Sequence, residues 1–324
     1  MKTALIGYGY WGRNVARTLD SVGSSPEYII DTTPERAKAG QEDYGTDPDK
    51  TLDDVLKSDC EAVFIATPPQ THHRIAMECL EHGKHIFVEK PFTTDIRHAY
   101  EIIVKAQDRG LISFVDHVFL YSDPVKKLKN LLDEGKFGDV VYVNSRRINL
   151  GLFQHSVDVV WDLAVHDLSI IDYLFGLDIR NVTVTRRKYR DFPNDALANI
   201  NFDIQDGPII NIAVSWLSPV KVREMIIGGE DMMAVYDDTA PDKLKVYDRG
   251  VIMEEDLDAN ALHKHLVQYR YGEERVIDIP VSQPLENAIN SFIRCVETGE
   301  EPEHGKGSII NVMNALEVIS RCGK

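Results

Sequence analysis

The first 120 residues alternate short apolar runs with segments whose apolar positions recur at helical spacing. The apolar runs predict buried strands at residues 4–6, 27–30, 62–66, 85–88 and 111–115. Helical spacing is found between these runs, at residues 14–19, 74–81 and 96–109. Strands that alternate with helices in this way are joined by crossover connections, which leave the strands parallel. The pattern therefore predicts a doubly wound parallel α/β sheet of the Rossmann type.

After Pro124 the pattern changes. A helix is predicted at residues 125–134, and most later segments alternate apolar and polar side chains, as antiparallel strands with one covered face do. These segments are residues 140–148, 182–187, 198–204, 209–216, 224–227, 233–236, 244–247 and 275–279. Together they predict a C-terminal α+β domain built on a large, mostly antiparallel sheet.

Further helices accompany this second sheet. One is predicted at residues 158–174, and two more are predicted at residues 285–296 and 308–321. The acidic stretch at residues 254–258 predicts an exposed loop. We expect the last two helices to pack back toward the first domain.

Length and composition describe an ordinary globular protein. A chain of 324 residues is long for one core, so we expect two domains, residues 1–122 and 123–324. No apolar run approaches the length of a membrane span, and the N-terminus has no signal-peptide pattern. We therefore expect a cytoplasmic protein. Its four scattered cysteines agree with a reducing compartment: Cys60, Cys79, Cys295 and Cys322.

The charge narrows the range of partners. A net charge of −16 disfavours nucleic acid and anionic membranes, because both bind cationic surfaces. Four of the five residues at 186–190 are basic. That cluster is too short to change the conclusion, and we expect it to be the solvated end of a strand.

Three glycines directly follow the first predicted strand: Gly7, Gly9 and Gly12. Between a strand and a helix, the first glycine makes the tight turn and the second lets a diphosphate approach the backbone. The third lets the helix pack on the strand, and the diphosphate lies at the helix N-terminus. The spacing predicts a dinucleotide site that also includes Tyr10 and Trp11.

Asp31 ends the second predicted strand, 19 residues after Gly12. A carboxylate at this place can accept hydrogen bonds from the adenosine ribose hydroxyls and would repel a 2′-phosphate. The predicted cofactor is therefore NAD rather than NADP. The alternative is that Asp31 is only a solvated residue in the turn before Pro34.

Two further strand ends carry unusual residues, and ligands of open parallel sheets lie beyond such ends. The third strand runs into Thr67 and Pro68, and His72 could reach the cofactor or simply cap the next helix. The fourth strand ends in Glu89 and Lys90. We expect all of these residues at the cofactor. A lysine there can stabilise an alkoxide that forms on a substrate, and the alternative is a surface salt bridge with Glu89.

Asp162 and His166 lie four residues apart on the predicted helix at 158–174, so both project from one face. The carboxylate could orient the imidazole and raise its basicity, which would make His166 a general base. The alternative is a core histidine that is satisfied by its neighbouring aspartate. His166 and Asp167 also invite a metal, but no third ligand has suitable spacing, and we expect none.

Taken together, the glycine triplet at 7–12, Glu89-Lys90-Pro91 and Asp162-x-x-x-His166 resemble the Gfo/Idh/MocA oxidoreductases in order and spacing. The resemblance covers essentially the whole chain. It implies that Lys90, Asp162 and His166 converge on the substrate beside the nicotinamide. It also implies that the open face of the second sheet serves subunit association, so we expect a homodimer or homotetramer formed through that sheet.

Within the family, the chain resembles a nucleotide-sugar branch more closely, at residues 7–14, 115–121 and 161–167. Its members include dehydrogenases that oxidise C3 of UDP-N-acetylglucosamine or of its uronic acid. The run at 147–151 also fits the branch. The resemblance thus implies sugar contacts by four residues: His117, Arg147, Asn149 and Asp158.

Two residues depart from that branch. Val165 stands where the branch usually has proline, and Asp158 stands where it usually has asparagine. Asp158 adds negative charge near the expected pocket, which disfavours an acidic uronate as the substrate.

The expected function is NAD-dependent hydride transfer from a secondary hydroxyl of a nucleotide-linked hexose. In this scheme His166 takes the hydroxyl proton, Lys90 stabilises the oxyanion and Asp162 orients His166. Alternatives are reduction of a 3-keto sugar, oxidation of a free sugar or cyclitol, and a non-catalytic NAD-binding sensor.

Overall fold

The computed structural model describes residues 1–253, 267–280 and 282–322. The loop predicted at 254–258 lies outside these residues. The first sheet has five parallel strands in the order β2-β1-β3-β4-β5. They are β1 (Thr3–Ile6), β2 (Tyr28–Ile30), β3 (Ala62–Ile65), β4 (His85–Val88) and β5 (Ser113–Val115). This order is that of the predicted doubly wound sheet, with the switch between β1 and β3.

Five helices connect these strands: α1 (Tyr10–Ser21), α2 (Pro34–Tyr44), α3 (Leu52–Lys57), α4 (His72–Glu81) and α5 (Ile96–Asp108). The sequence pattern did not predict α2 and α3. Helix α3 is only six residues long, and α2 buries only Ala37 and Gly40. Neither helix therefore carries the apolar stripe by which the others were found.

The second sheet has eight strands in the order β13-β12-β11-β10-β6-β9-β8-β7. They are β6 (Val140–Leu150), β7 (Ile179–Lys188), β8 (Asp195–Ile204), β9 (Ile209–Ser215), β10 (Leu217–Gly229), β11 (Met233–Asp237), β12 (Leu244–Met253) and β13 (Val267–Val276). The pairs are antiparallel except β6 with β9, which is parallel. The strand predicted at residues 275–279 is wrong in its bounds, since β13 ends at Val276.

The remaining helices are α6 (Asp123–Asp133), α7 (Val165–Phe175), α8 (Pro284–Thr298) and α9 (Lys306–Arg321). The helix predicted at 158–174 is a π-helical turn at Val160–Ala164 that continues into α7. A short 3-10 turn, Val118–Tyr121, joins β5 to α6.

The last helices pack on the first part of the chain. Phe292 of α8 contacts Phe64, Phe87 and Phe114, which come from three adjacent strands of the first sheet. The apolar face of α8 thus covers the first sheet as its own helices do. The division of the chain at residue 122 stays a prediction.

Candidate active site

The glycine turn has the steric demands that its spacing predicts. Gly7 has φ +97°, and a Cβ there would lie 2.4 Å from the carbonyl oxygen of Ala66. A Cβ on Gly12 would lie 2.0 Å from the carbonyl oxygen of Gly7, so only glycine allows α1 to approach the turn. Around Gly9 the nearest atom is Nη1 of Arg36, 3.6 Å from an ideal Cβ, which leaves room for a ligand.

Helix α1 begins directly above this turn without a side-chain cap. Its first backbone N–H groups have no intrahelical partner, and they fit the diphosphate of a dinucleotide. Tyr10 and Trp11 stand at the same helix end, 75% and 45% exposed, with their ring centroids 5.5 Å apart. The structure thus brings the predicted Gly7, Gly9, Gly12 and the two aromatic residues together.

Asp31 follows β2 beside the glycine turn. Its carboxylate accepts hydrogen bonds from the N–H of Tyr8 at 2.7 Å and of Thr33 at 2.8 Å. Each oxygen keeps a further lone pair for a ribose hydroxyl. Arg36 lies close, with Nη1 3.9 Å from Oδ2 of Asp31. The sequence argument missed this cation, which offsets part of the repulsion expected toward a 2′-phosphate.

The loop after β3 places Thr67 and Pro68 next to the glycine turn. His72 is fully buried, and its ring nitrogens lie 2.8 Å from the carbonyl oxygen of Thr67 and 3.0 Å from that of Pro91. The expectation that His72 contacts the cofactor is therefore corrected. Its ring lies between the loop after β3 and the loop after β4, and its single N–H donates to one of these two carbonyl oxygens, because burial lowers the pKa of His72 and keeps the ring neutral.

Lys90 is held by Asp162. The Lys90 ammonium donates to Oδ1 of Asp162 at 2.9 Å and to its carbonyl oxygen at 2.8 Å. The other carboxylate oxygen, Oδ2, accepts a hydrogen bond from Nε1 of Trp216 at 2.9 Å. Asp162 therefore orients Lys90 and not His166, which corrects the predicted pairing. Both side chains are largely buried, 10% exposed for Lys90 and 19% for Asp162.

His166 is 8% exposed, and its Nδ1 has no hydrogen-bond partner among the described residues. Its ring packs edge-on against Phe119 with the centroids 5.0 Å apart. Burial lowers the pKa of His166 well below its ordinary value, and the charges of Lys90, Arg147 and Arg223 act in the same direction. The imidazole is thus neutral at physiological pH and can accept a proton.

Glu89 and Asp116 lie at the ends of the adjacent strands β4 and β5, buried to 6% and 3% exposure. Burial raises the pKa of both carboxyl groups, and the charge of Glu89 adds to the rise at Asp116. Each also has an oxygen without a partner in the described part of the chain. His117, the next residue, is 2% exposed, and burial lowers its pKa to about 3.

Two of the predicted sugar contacts have other partners. The guanidinium of Arg147 donates to Asp167 at 2.9 and 3.1 Å and lies 4.5 Å from the centroid of the Phe119 ring, so it is buried behind that ring. Asp158 accepts from the N–H groups of Val160 and Trp161, and Arg186 donates to its other oxygen at 3.0 Å. Both carboxylate oxygens of Asp158 thus already accept hydrogen bonds, and its contact with substrate stays a prediction.

Asn149 lies near the end of β6, half-buried, beside Gly151. It stays a predicted sugar contact. Trp216 and Phe119 are the side chains that the sequence reasoning missed. Trp216 directly follows β9, and Phe119 lies in the 3-10 turn after β5. A tryptophan at a strand end, where its N–H can donate to a polar side chain, is the signal that the sequence offered.

Comparisons with known proteins identify the fold and the family. Residues 1–117 match the model of an oxidoreductase family with an NAD-binding Rossmann fold, and residues 125–235 match the GFO/IDH/MocA C-terminal domain. The chain belongs to the Gfo/Idh/MocA family of oxidoreductases. As a family member it is an NAD(P)-dependent dehydrogenase that acts on CH–OH groups.

Several named proteins are similar to this family member. UDP-N-acetylglucosamine 3-dehydrogenase of Acidithiobacillus ferrooxidans is 29% identical over 77% of this chain and 78% of its own. A solved structure of that enzyme has a TM-score of 0.82 at 23% identity and covers 99% of this chain and 97% of that one. Inositol 2-dehydrogenase of Rhodococcus jostii is 32% identical over 57% of this chain and 53% of its own.

A further solved structure shares the fold. KijD10, a 3-ketoreductase from Actinomadura kijaniata in complex with TDP-benzene and NADP, has a TM-score of 0.81 at 19% identity. The alignment covers 99% of this chain and 96% of that one. In the described part of this chain no helix combines the length and apolarity needed to cross a bilayer. Nor do three metal-ligating side chains meet in those residues.

Proposed function

We propose that this oxidoreductase oxidises a secondary alcohol of a nucleotide-linked hexose such as UDP-N-acetylglucosamine, by removing a hydride from C3 and a proton from the hydroxyl that C3 carries. The observation that carries the proposal is the buried Lys90 ammonium at the end of β4, which Asp162 holds and whose charge acts on the neutral His166 of α7. A cation and a neutral base together suit an alcohol that loses its proton as a carbonyl forms.

Each chemical role follows from this geometry. His166 would accept the hydroxyl proton, because its lowered pKa leaves the imidazole neutral and a ring nitrogen, which has no hydrogen-bond partner in the described residues, free to take it. Lys90 would donate a hydrogen bond to the oxygen as negative charge develops on it. Asp162 would hold the ammonium in place, and Trp216 would hold Asp162. When bound, the nicotinamide supplies the hydride acceptor.

The cofactor site fits a dinucleotide. The open space at Gly9 and the uncapped N-terminus of α1 would take the diphosphate, and Tyr10 and Trp11 would flank it. The ribose hydroxyls would bind Asp31. At the nicotinamide end the lining would come from four residues: Thr67, Pro68, Glu89 and Lys90. We propose NAD as the preferred cofactor, with Arg36 allowing weaker binding of NADP.

The substrate assignment rests on the named relatives. The similar UDP-N-acetylglucosamine 3-dehydrogenase supports a UDP-linked hexose, with His117 and Asn149 near the sugar. A free cyclitol is the second candidate, because an inositol 2-dehydrogenase is also similar to this chain. Reduction of a 3-keto sugar would use the same groups in reverse.

We further propose a cytoplasmic homodimer or homotetramer that forms through the second sheet. Val251, Tyr269 and Tyr271 project from β12 and β13 with 51%, 64% and 80% of their surfaces exposed. Val251 pairs directly with Tyr269 across the two strands. Such a row of exposed apolar side chains is typical of an association surface.

The test combines binding and turnover. Thermal unfolding would be followed with NAD or NADP, each alone and with UDP-N-acetylglucosamine, its uronate or myo-inositol. Further stabilisation by a UDP-sugar on top of NAD, with NADH formed from that sugar, is the expected result. Stabilisation by NAD without any response to UDP-sugars would reject the nucleotide-linked substrate, and a response to myo-inositol would favour a cyclitol.

A further inference from the structure

The end of β7 and the turn that follows it carry an unusual concentration of positive charge. We call residues 187–190 the basic turn; they are Arg187, Lys188, Tyr189 and Arg190, and none of them is acidic. In the part of the chain that the structure describes, no carboxylate lies within ion-pair distance of its three cations. Arg186, the neighbouring residue, is instead used by Asp158 at 3.0 Å. Asp191 offsets one of the three charges, in a chain whose net charge is −16.

Hydrogen bonds connect the loop after the basic turn to the segment that follows β6. The side-chain amide of Asn194, just after the turn, donates to the carbonyl oxygens of Gln154 at 2.9 Å and His155 at 3.1 Å. The same segment also contacts the chain after β3, because Gln70 donates to the carbonyl oxygen of Ser156. Gln70 follows Thr67 and Pro68, so residues 154–156 connect the loop after the basic turn to the part of the chain expected to bind the cofactor.

Aromatic contacts continue from the basic turn to the catalytic groups. The ring of Phe153 lies 6.0 Å from Tyr189 and 5.4 Å from Trp216, measured between centroids. Trp216 in turn donates its hydrogen bond to Asp162, the partner of Lys90. A row of contacts therefore runs from the Lys90 ammonium through Asp162, Trp216 and Phe153 to Tyr189, and Arg190 lies against the Tyr189 ring.

That ring is accessible. Tyr189 is 41% exposed, and the guanidinium of Arg190 lies 5.2 Å from its ring centroid. An exposed aromatic face accepts a stacked nucleobase, and flexible cations beside it pair with phosphate oxygens. The chain's net charge of −16 would repel a diphosphate, so a phosphorylated substrate needs a local cationic site.

We propose that the basic turn binds the nucleoside diphosphate of the substrate, with the base against Tyr189 and the phosphates at Lys188 and Arg190. The hexose then extends along Phe153 toward Lys90. This inference rests on the proposed nucleotide-linked substrate. It also changes the interpretation of the basic cluster, which the sequence alone predicts to be a solvated strand end.

The experiment measures binding of UDP and of uridine to the NAD-loaded enzyme by calorimetry. The double variant Lys188→Gln/Arg190→Gln should raise the Kd of UDP by about tenfold or more, since charged contacts to phosphate are lost. Its Kd for uridine should stay the same. Tyr189→Ala should weaken the binding of both ligands, because both present the same base.

Two controls test whether the change in the Kd of UDP depends on the charges of the basic turn or on the loss of any surface charge. Arg180→Gln removes an exposed arginine at the opposite end of β7, and it should leave the Kd of UDP unchanged. The charge-conserving pair Lys188→Arg/Arg190→Lys should retain UDP binding. Unchanged UDP binding in the glutamine double variant would overturn this site while the nucleotide-linked substrate stands. No binding of UDP by the parent enzyme would overturn both proposals.

Discussion

The glycine turn and Lys90 lie at the same edge of the first sheet. We call Lys90, Asp162 and Trp216 the proposed catalytic group, and it is built in the opposite way to the glycine turn. At the glycine turn the critical contact joins Gly7 and Gly12, five positions apart, where any Cβ would clash with the backbone. At the proposed catalytic group, Lys90 and Asp162 are 72 residues apart, and Trp216 is 54 residues beyond Asp162. A local steric requirement can be predicted from the sequence, because it restricts the residue type at nearby positions. The choice among distant hydrogen-bond partners cannot be predicted in this way.

The predicted pairing of Asp162 with His166 shows where this difference matters. Residues four apart are neighbours on one face of an α-helix, but Asp162 lies in the π-helical turn Val160–Ala164. A π turn closes with bonds from i to i+5, so side chains four apart no longer lie one above the other. The carboxylate is thereby directed to Lys90, and His166 lies against Phe119.

The largest expected effect tests the proposed catalytic group directly. Lys90→Met should lower kcat by about 10²–10³-fold, because the oxyanion loses its charged donor. Combining it with His166→Asn should leave only residual turnover, while NAD still binds. Steady-state kinetics and an NAD titration measure the two quantities.

Lys105→Met is the matched control, since Lys105 is a lysine on α5 paired only with Glu81 at 3.5 Å. It should turn over like the parent. Turnover of the Lys90→Met/His166→Asn variant near the parent rate would remove these residues from the mechanism.

The next effect distinguishes the two possible partners of Asp162. Asp162→Asn should lower kcat by about 10²-fold, because the amide cannot hold the ammonium as an ion pair. If Asp162 acts through Lys90, the loss should largely disappear in the Lys90→Met background and persist in the His166→Asn background.

Trp216→Phe is the graded control, because it removes a single neutral hydrogen bond to Asp162. It should lower kcat by about tenfold or less. If the loss of kcat caused by Asp162→Asn instead disappears in the His166→Asn background, Asp162 acts through His166, as helical spacing predicts.

Gly12→Ala and Gly9→Ala separate folding from binding within the glycine turn. Gly12→Ala should lower the free energy of unfolding by about 1–3 kcal/mol, because its Cβ meets a backbone oxygen that cannot move freely. Gly9→Ala should leave the free energy of unfolding nearly unchanged and weaken NAD binding. Urea denaturation and NAD titration check both, and equal destabilisation by the two variants would contradict this division.

Asp31→Ser should reduce the preference for NAD over NADP by about tenfold, since it removes the ribose acceptor and leaves Arg36 for a 2′-phosphate. Relative kcat/KM with the two cofactors is the measurement. Arg36→Gln should move the ratio the opposite way. A ratio that neither variant changes would show that Asp31 is a turn residue only.

The smallest effect is on stability against pH. His117 is neutral in the folded protein, with a pKa of about 3, whereas unfolding restores an ordinary value near 6.5. The folded-state pKa is lowered, so stability is fully present above about pH 6.5 and is lost as the pH falls toward 3. Each such histidine should cost about 1 kcal/mol per pH unit in that window.

His117→Asn should therefore flatten the dependence of the unfolding free energy on pH between 6.5 and 5. The exposed His155 provides the control, and His155→Asn should leave the slope unchanged. An unchanged slope in His117→Asn would mean that His117 gains its proton without unfolding.

Much of the architecture was accessible from periodicity, because buried strands and amphipathic helices need regular apolar positions. The five strands of the first sheet and the antiparallel character of the second follow from that rule. Helices α2 and α3 were not predicted, since neither buries a full stripe. The last two helices were expected to pack back toward the first sheet, but only the structure shows which side chains meet there: Phe292 contacts Phe64, Phe87 and Phe114.

The sequence by itself determined the glycine turn, the acid after β2 and the residue types at the ends of β3 and β4. It could do so because glycine geometry and strand ends depend on neighbours along the chain. Only the tertiary structure decided that Asp162 holds Lys90, that His72 lies between two loops and that Asp158 pairs with Arg186. A buried polar group binds whichever partner the packing brings within reach, and that choice is made by the whole fold.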